Sequence, residues 1–322
     1  MAQVTMYGRM DVGMNNQKTT VVVAGVSTTT KANNLVNEDG LSTGLWGIMG
    51  SEDLGGGLKA SFKHEMDLDM DVGALNVATG RNSTLGLSGG FGEVRLGRSY
   101  TPLFSTIGAS DVFGTTGATT VGLYPDGVRA SNGLFYTSPN FGGVTLNLLA
   151  SSNNTSVTGT SAKDSTTGLS ATYAAGPLMV SVAHGIIDAT AGAVDAESKG
   201  SALAFTYDLG VAKVYAGYTT GKVQASILVD SFIKSTETNL GVSVPMGALT
   251  LMAGYGKNNV DTRVLGAVTE SSGNDFVAGA TYALSKRTTT YLKTGTYNKL
   301  KTEGVNTSTK TNRTSLGIRH TF

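Results

Sequence analysis

The sequence contains no cysteine, little proline and little charge. Its 322 residues include 0 Cys and 5 Pro, and charged residues make up 15% of the chain, against about 25% in a typical soluble domain. The absence of cysteine excludes disulfide frameworks, thiol nucleophiles and zinc-thiolate sites. It leaves the redox compartment open, because a chain without thiols is stable inside or outside the cytosol.

The chain also lacks an excess of either charge and any long apolar run. Its 24 basic and 23 acidic residues leave a net charge of +1, so no positive field favours nucleic acid. Apolar stretches such as 178–182 are far shorter than the roughly 18 residues that a membrane helix needs. If the chain spans a membrane, it must do so as a barrel. Residues 1–4 lack the pattern of a signal peptide, which indicates a mature form with an added Met1.

Glycine and a period of two dominate what is present. The chain has 44 Gly, and in 4–14 the even positions are mostly apolar while the odd positions are mostly polar. The stretch 58–69 alternates more sharply, with charged or hydroxyl side chains at every odd position. Such alternation predicts strands with one apolar and one polar face.

The same period continues through sixteen predicted strands. The connections between them alternate between short turns rich in Gly, Pro and Asn and long polar loops such as 15–41, 153–164 and 299–310. Even strand number, short turns at one end and long loops at the other are typical of an outer-membrane barrel. The predicted strands lie near 2–14, 42–51, 57–69, 81–89, 92–100, 130–138, 143–152, 166–175, 178–187, 199–208, 211–220, 235–244, 248–257, 273–284, 287–298 and 311–322.

No linker interrupts this rhythm, so we expect a single domain over residues 1–322. The connection 101–128 stands apart, because it is rich in Gly and Thr and shows no strand period. A 28-residue connection without regular structure is unusual unless it has a function. Folding into the lumen of the barrel would be such a function.

Several blocks of the sequence resemble the general diffusion porins of Gram-negative outer membranes, especially those of betaproteobacteria. The resemblance covers essentially the whole chain. It implies an all-β fold, a 16-stranded antiparallel transmembrane β-barrel with an inward-folded third loop, and assembly as a homotrimer. The blocks are VTMYG at 4–8, GSEDLGGGLKA at 50–60, FGEVRLGR at 91–98, YTSPNFGG at 136–143, LSKRT at 284–288 and GIRHTF at 317–322.

The resemblance also implies a pore constriction in which a basic wall faces acidic groups. Matched motif by motif, the basic residues are Arg9, Arg81 and Arg129. The implied acidic residues are Asp111 on the constriction loop at about 101–128 and Glu65 on the third strand.

Two positions depart from this pattern. Leu45 stands where the family often carries arginine, which would make the opening wider, drier or less attractive to anions. Alternation places Arg9 and Glu65 on the polar face, but Arg81 shares its parity with Leu85 and Leu87. Either the strand carries a bulge at that point or that face packs against another subunit.

The resemblance predicts an outer-membrane porin, a water-filled channel for passive diffusion of small hydrophilic solutes and ions with a modest anion preference. The alternative is a solute-specific channel with a binding track at the constriction. We expect no enzymatic activity, because no Ser/His or Asp/His constellation can be assembled. A soluble β-rich adhesin is a further alternative. Expected partners are a homotrimer, outer-membrane lipid and lipopolysaccharide, but no nucleic acid.

No cofactor is predicted, and calcium is the one metal with a candidate site. Asp67, Asp69 and Asp71 resemble the start of a calcium loop, but the glycine comes one place late and Ala78 stands at the twelfth position. A solvated strand end is the simpler interpretation of this run.

Overall fold

The computed structural model describes residues 3–36, 40–71, 73–76, 80–115, 119–157, 160–192, 194–226, 230–302 and 307–322. Most of these residues lie in antiparallel strands. The elements are β1 (Gln3–Val23), β2 (Val26–Val36), β3 (Leu45–Gly55), β4 (Leu58–Asp69), β5 (Ala74–Asn76), β6 (Ser83–Gly89), β7 (Gly92–Tyr100), α1 (Pro102–Ala109), β8 (Arg129–Thr137), β9 (Val144–Val157), β10 (Thr160–Ala175), β11 (Leu178–Ala191), β12 (Val194–Asp208), β13 (Lys213–Ala225), β14 (Phe232–Met246), β15 (Leu249–Val264), β16 (Ala267–Ala283), β17 (Thr288–Thr302) and β18 (Thr307–Thr321).

These strands form a closed barrel with sixteen strand positions. β2 and β3 together occupy one position, because β2 pairs with the second half of β1 and β3 pairs with its first part. β5 is a three-residue strand beside the end of β4 and is not counted. The other strands pair with their neighbours in chain order, and β18 pairs with β1 from Arg9 to Val23, which closes the barrel. The predicted all-β, sixteen-stranded antiparallel barrel is confirmed.

The two faces of the wall differ as the alternation predicts. In β1, Met6, Met10 and Met14 are exposed by 66%, 41% and 68%, whereas Asp11 between them is fully buried. A soluble sheet would cover such apolar side chains, and an outer belt of them is what lipid requires. The same outward apolar positions continue around the ring at Leu85, Leu134, Leu203, Leu240, Phe276 and Leu316.

The long polar loops predicted at 15–41, 153–164 and 299–310 are largely strands, so that prediction is wrong. β1 and β2, β9 and β10, and β17 and β18 continue through them as paired hairpins. Thr, Val and Ser favour strands, and cross-strand hydroxyl pairs such as Thr19 with Thr311, at 3.1 Å between Oγ1 atoms, add to the pairing. Hydropathy does not alternate there, which is expected of paired strands that have no lipid face to present.

The short turns use glycine where the backbone demands it. In the turn between β3 and β4, Gly55, Gly56 and Gly57 have φ values of +82°, +60° and +81°. This left-handed conformation strains residues that carry a Cβ. The glycine-rich character predicted for the short turns therefore has a direct conformational cause here.

The region 101–128, predicted to lack regular structure, contains α1. Thr101 caps this helix, because its Oγ1 accepts a hydrogen bond of 3.1 Å from the Phe104 backbone N–H, and Pro102 opens the first turn. Leu103 and Ile107 are the buried anchors of its apolar side. The Thr-Pro start signal is present in the sequence, but the Gly- and Thr-rich stretch around it conceals the short helix. No helix in the described ranges is long and apolar enough to cross a membrane.

After α1, the described residues of the segment 101–128 contact several strands of the barrel. Its base is closed by a 3.2 Å hydrogen bond from the Thr101 backbone N–H to the Val128 carbonyl. α1 contacts β9 to β13. Farther along, Phe113 packs with Val277 of β16, so the segment contacts strands well around the ring.

Candidate functional site

Two of the predicted arginines meet at one tyrosine hydroxyl. Arg81 Nη2 donates to Tyr100 OH at 2.8 Å, and Arg129 Nη2 donates to the same oxygen at 2.9 Å. The guanidinium carbon of Arg129 also lies 4.4 Å from the Tyr100 ring centroid, where the ring face attracts a cation. Tyr100 and Arg129 are register partners in β7 and β8. Tyr100 therefore holds two positive charges side by side.

Arg9 approaches the same group from β1. Its Nε donates to the Thr43 carbonyl at 2.8 Å, which fixes the side chain against the segment before β3. Its charge interacts electrostatically with Arg81 and Tyr100. The structure therefore brings the three predicted arginines into one arginine cluster around Tyr100.

A local irregularity explains the parity of Arg81. The Arg81 backbone N–H donates to the Glu65 carbonyl at 3.0 Å, and the Glu65 N–H donates to the Asn82 carbonyl at 2.7 Å. Two consecutive residues thus bond to one residue of β4, as in a β-bulge, which shifts the alternation by one. Of the two explanations weighed above, the geometry favours the bulge. Leu85 remains exposed while Arg81 is buried.

Leu45 occupies the wall between two charged residues. It is the register partner of Arg9 on one side and of Asp67 on the other, so the three share a face. Asp67 Oδ1 accepts from Arg81 Nη1 at 2.6 Å, and both side chains are largely buried. The apolar Leu45 is itself buried, so it adds no charge between the guanidinium of Arg9 and this ion pair.

Glu65 lies beside the cluster but is engaged elsewhere. Its Oε1 accepts from Tyr7 OH at 2.9 Å and from Lys63 Nζ at 2.9 Å. The Lys63 charge offsets that of Glu65. Its main connection to the arginines is the backbone contact with Arg81 described above.

The predicted acidic partner Asp111 is occupied within its own turn. Its oxygens accept from the backbone N–H groups of Phe113 and Thr115 at 3.0 and 2.6 Å, and from Thr119 Oγ1 at 2.5 Å. Burial raises the pKa of the Asp111 carboxyl, and these hydrogen bonds and the charge of Lys293 oppose that rise. These hydrogen bonds fix the turn of the segment that contains Asp111. The role of Asp111 opposite the arginines stays a prediction.

Two further carboxylates, missed at the sequence level, help to fix the segment: Glu237 bonds it to the wall, and Asp126 bonds within the segment itself. Glu237 Oε2 accepts from the backbone N–H groups of Gly122 and Leu123 at 2.8 and 3.2 Å. Asp126 Oδ1 accepts from Thr101 Oγ1 at 3.1 Å. Burial raises the Asp126 pKa to about 7. The polar parity of 237 within its predicted strand was the one sequence signal available for Glu237.

The structure describes only part of the candidate calcium site. Asp67 forms the ion pair with Arg81, and residues 72 and 77–79 lie outside the described residues. Among the described residues, no group of three or more His, Asp or Glu side chains is arranged to hold a metal ion. Calcium at Asp67, Asp69 and Asp71 stays a prediction.

A closed barrel with an apolar outer belt and charged side chains on its other face is a β-barrel membrane protein. The chain belongs to the Gram-negative porin family, whose model matches residues 1–302. It is an outer-membrane channel protein of a Gram-negative bacterium, and it passes small hydrophilic solutes by passive diffusion.

Individual relatives agree with this assignment. Outer membrane porin protein 32 of Delftia acidovorans is 31% identical, over 88% of this chain and 86% of the relative. The solved anion-selective porin from Comamonas acidovorans is 28% identical, with full coverage of both chains and a TM-score of 0.78. OmpT of Vibrio cholerae, solved in a trimer form, shares the fold with a TM-score of 0.70 at 15% identity, over 100% of this chain and 99% of its own.

Proposed function

We propose that this porin is a homotrimer in which the segment 101–128 folds into the lumen and leaves a narrow opening beside the arginine cluster. Arg9, Arg81 and Arg129 form the basic wall of that opening and give the channel a modest preference for anions. The observation that carries the proposal is that Arg81 and Arg129 share Tyr100 as a partner while Arg9 lies close enough to interact electrostatically with Arg81 and Tyr100.

The balance of charge at the cluster supports an anion preference. Of the three guanidinium groups, that of Arg81 pairs with Asp67, while Glu65 is offset by Lys63, so these six side chains together carry an excess of two positive charges. A water-filled pore with such a wall biases ion entry without excluding cations. The similar porin of Comamonas acidovorans is anion-selective.

The remaining partners follow from the outer surface. The apolar belt fits the acyl chains of outer-membrane lipid, and we propose lipopolysaccharide as its neighbour in the outer leaflet. The trimer form of the fold relative OmpT supports threefold assembly. We assign no catalytic role to any residue of the cluster.

A row of aromatic rings favours a second function, the solute-specific channel. Tyr100 stacks on Phe104 with centroids 5.0 Å apart, and Phe104 meets Tyr124 edge to face at 5.2 Å. Such a row beside guanidinium groups would form a binding track for a solute with a flat face. Saturable block of conductance by one solute, lost in Phe104→Ala, would support this function over plain diffusion.

Bilayer recording tests the main proposal. Purified protein should open in three equal steps, and a tenfold KCl gradient should give a chloride-leaning reversal potential. Arg9→Ala, Arg81→Ala and Arg129→Ala should each move that potential towards potassium, whereas the exposed turn variant Arg287→Ala should not. Folded protein without an ohmic channel would overturn the porin function, and unchanged potentials in all three variants would overturn the basic wall.

A further inference from the structure

A second polar recess lies apart from the arginine cluster. It is a cavity of about 640 Å³ between the stretch 119–123 of the segment and the strands β14 to β18 and β1. None of the three clustered arginines is among its described lining residues. Neighbouring strands contribute the side chains that matter here, namely Glu237, Asn258, Asp275, Tyr297, Arg313 and Gln17.

Glu237 leaves one buried oxygen without a donor in this cavity. The residue is 2% exposed, and its Oε2 is occupied by the backbone of the segment. Its Oε1 is buried and has no hydrogen-bond partner within the described structure. A buried carboxylate oxygen without a donor is costly. A bound group that donates to Oε1 would remove that cost.

The charges of the cavity indicate which donor fits. Asp275 adds a second carboxylate, close enough to interact electrostatically with Glu237, and its Oδ2 accepts from Asn258 Nδ2 at 3.4 Å. Arg313 is the one positively charged side chain among the described lining residues. It donates twice to Gln17 Oε1, at 3.0 and 2.8 Å. Two negative charges and one positive charge leave an excess of one negative, which favours a cationic donor.

The rest of the wall suits hydroxyl groups. Amide side chains such as Asn258 and Gln17 and several Ser and Thr residues line the cavity, and Tyr297 contributes an aromatic ring. Amides both donate and accept hydrogen bonds, as sugar hydroxyls require of their partners. A volume of about 640 Å³ lies within the usual range of small-molecule sites.

We propose that this recess binds a small hydroxylated solute that carries an ammonium group, the chemistry of an amino sugar. The ammonium donates to Glu237 Oε1 beside Asp275, and the hydroxyl groups bond to the amide side chains. The inference rests on the proposed function, because the solute must enter the lumen to reach the recess. The recess would give an anion-preferring channel a separate binding site for one class of organic cation.

Three sugars of similar size and different charge test the proposal. Glucosamine, glucose and glucuronate are added in turn to open channels in KCl at near-neutral pH, and block is read from current noise. Glucosamine should bind about tenfold or more tightly than glucose, the effect of one charge-assisted hydrogen bond. Glucose that binds equally well would overturn the ammonium assignment.

Matched variants locate the site. Glu237→Gln keeps a carbonyl oxygen for Gly122 and Leu123 but removes the charge, and Asp275→Asn removes a charge but keeps an oxygen that can accept from Asn258. Each should reduce glucosamine binding about tenfold, measured against the conductance that the same variant shows in KCl alone. The exposed control Glu197→Gln should change nothing.

The outcomes separate this inference from the proposed function. An ohmic trimer with chloride preference but without glucosamine-specific block would overturn the inference alone. Glucosamine block that persists in both cavity variants would place binding elsewhere and overturn it as well. Loss of the ohmic channel in the wild type would instead overturn the proposed function.

Discussion

Removing the charge of Asp67 should strengthen the anion preference of the channel. Asp67→Asn keeps Oδ1 as an acceptor for Arg81, so the geometry of the cluster should survive. The local excess of positive charge rises from two to three. Chloride should therefore be favoured further, and potassium disfavoured further, than in the wild type.

The size of the effect follows from distance and screening. A unit charge about 5 Å from an ion's path in water contributes about 0.8 kcal/mol, and screening at 0.1 M salt reduces this to about 0.5 kcal/mol. The contribution has opposite signs for the two ions. The chloride-to-potassium permeability ratio should therefore rise about fivefold at 0.1 M and less than about twofold at 1 M.

Reversal potentials across KCl gradients centred on low and high salt measure this ratio. Asp208→Asn is the matched control, since Asp208 lies exposed in a short turn where its Oδ1 accepts from the Gly210 N–H. The reasoning is refuted by a potential that stays unchanged or moves towards potassium. It is equally refuted by a shift that is as large at high salt as at low salt, because a wall charge in a wet pore must be screened.

Three further predictions concern single side chains. Because the folded pKa of Asp126 is raised to about 7, its contribution to stability is present at acidic pH and lost as pH rises through about 7. The temperature at which the folded form is lost on a gel should therefore fall as pH rises from about 4 to about 7, a loss of up to about 4 kcal/mol of stability, and it should fall less in Asp126→Asn. Tyr291→Phe removes a 2.8 Å hydrogen bond to buried Asp11 and should cost about 1–3 kcal/mol in unfolding experiments, with no change in ion selectivity. Leu45→Arg adds a charge between Arg9 and Asp67 and should raise the chloride preference in reversal potentials; a shift towards potassium would contradict the placement of Leu45.

Much of the wall could be predicted because a lipid-facing strand must alternate. In β1, the apolar Met6 and Met14 face outward while Asp11 faces the other way, and this pattern is legible in the sequence. The parts of the strands that extend beyond the lipid need not alternate between apolar and polar residues. The hairpin of β1 and β2 therefore shows no hydropathy period, although its backbone is fully paired.

The site divides in a similar way. The positions of Arg9, Arg81 and Arg129 could be transferred by motif, but Tyr100, the partner that Arg81 and Arg129 share, could not be predicted. Tyr100 meets Arg81 only because a bulge at Arg81 and Asn82 turns that side chain. A bulge depends on pairing with another strand, so a local pattern cannot reveal it.

The hydrogen bonds of the carboxylates that fix the segment could not be predicted from the sequence. Asp111 was assigned to the pore by resemblance, whereas in the structure its oxygens close a turn with Thr115 and Thr119. Glu237 lies far along the chain from its partners Gly122 and Leu123. Such contacts depend on where the segment docks, which no periodicity encodes.

The docking of the segment also constrains the order in which the molecule can fold. Its contacts reach forward in sequence, as in the bond between Ser110 and Asn239, 129 residues apart. Phe113 can pack with Val277 only after β16 has been synthesised. A nascent chain that stops before these strands offers the segment no surface, so its docking is a late step of high contact order. The same segment that we propose as the constriction thus becomes ordered only once most of the surrounding wall exists.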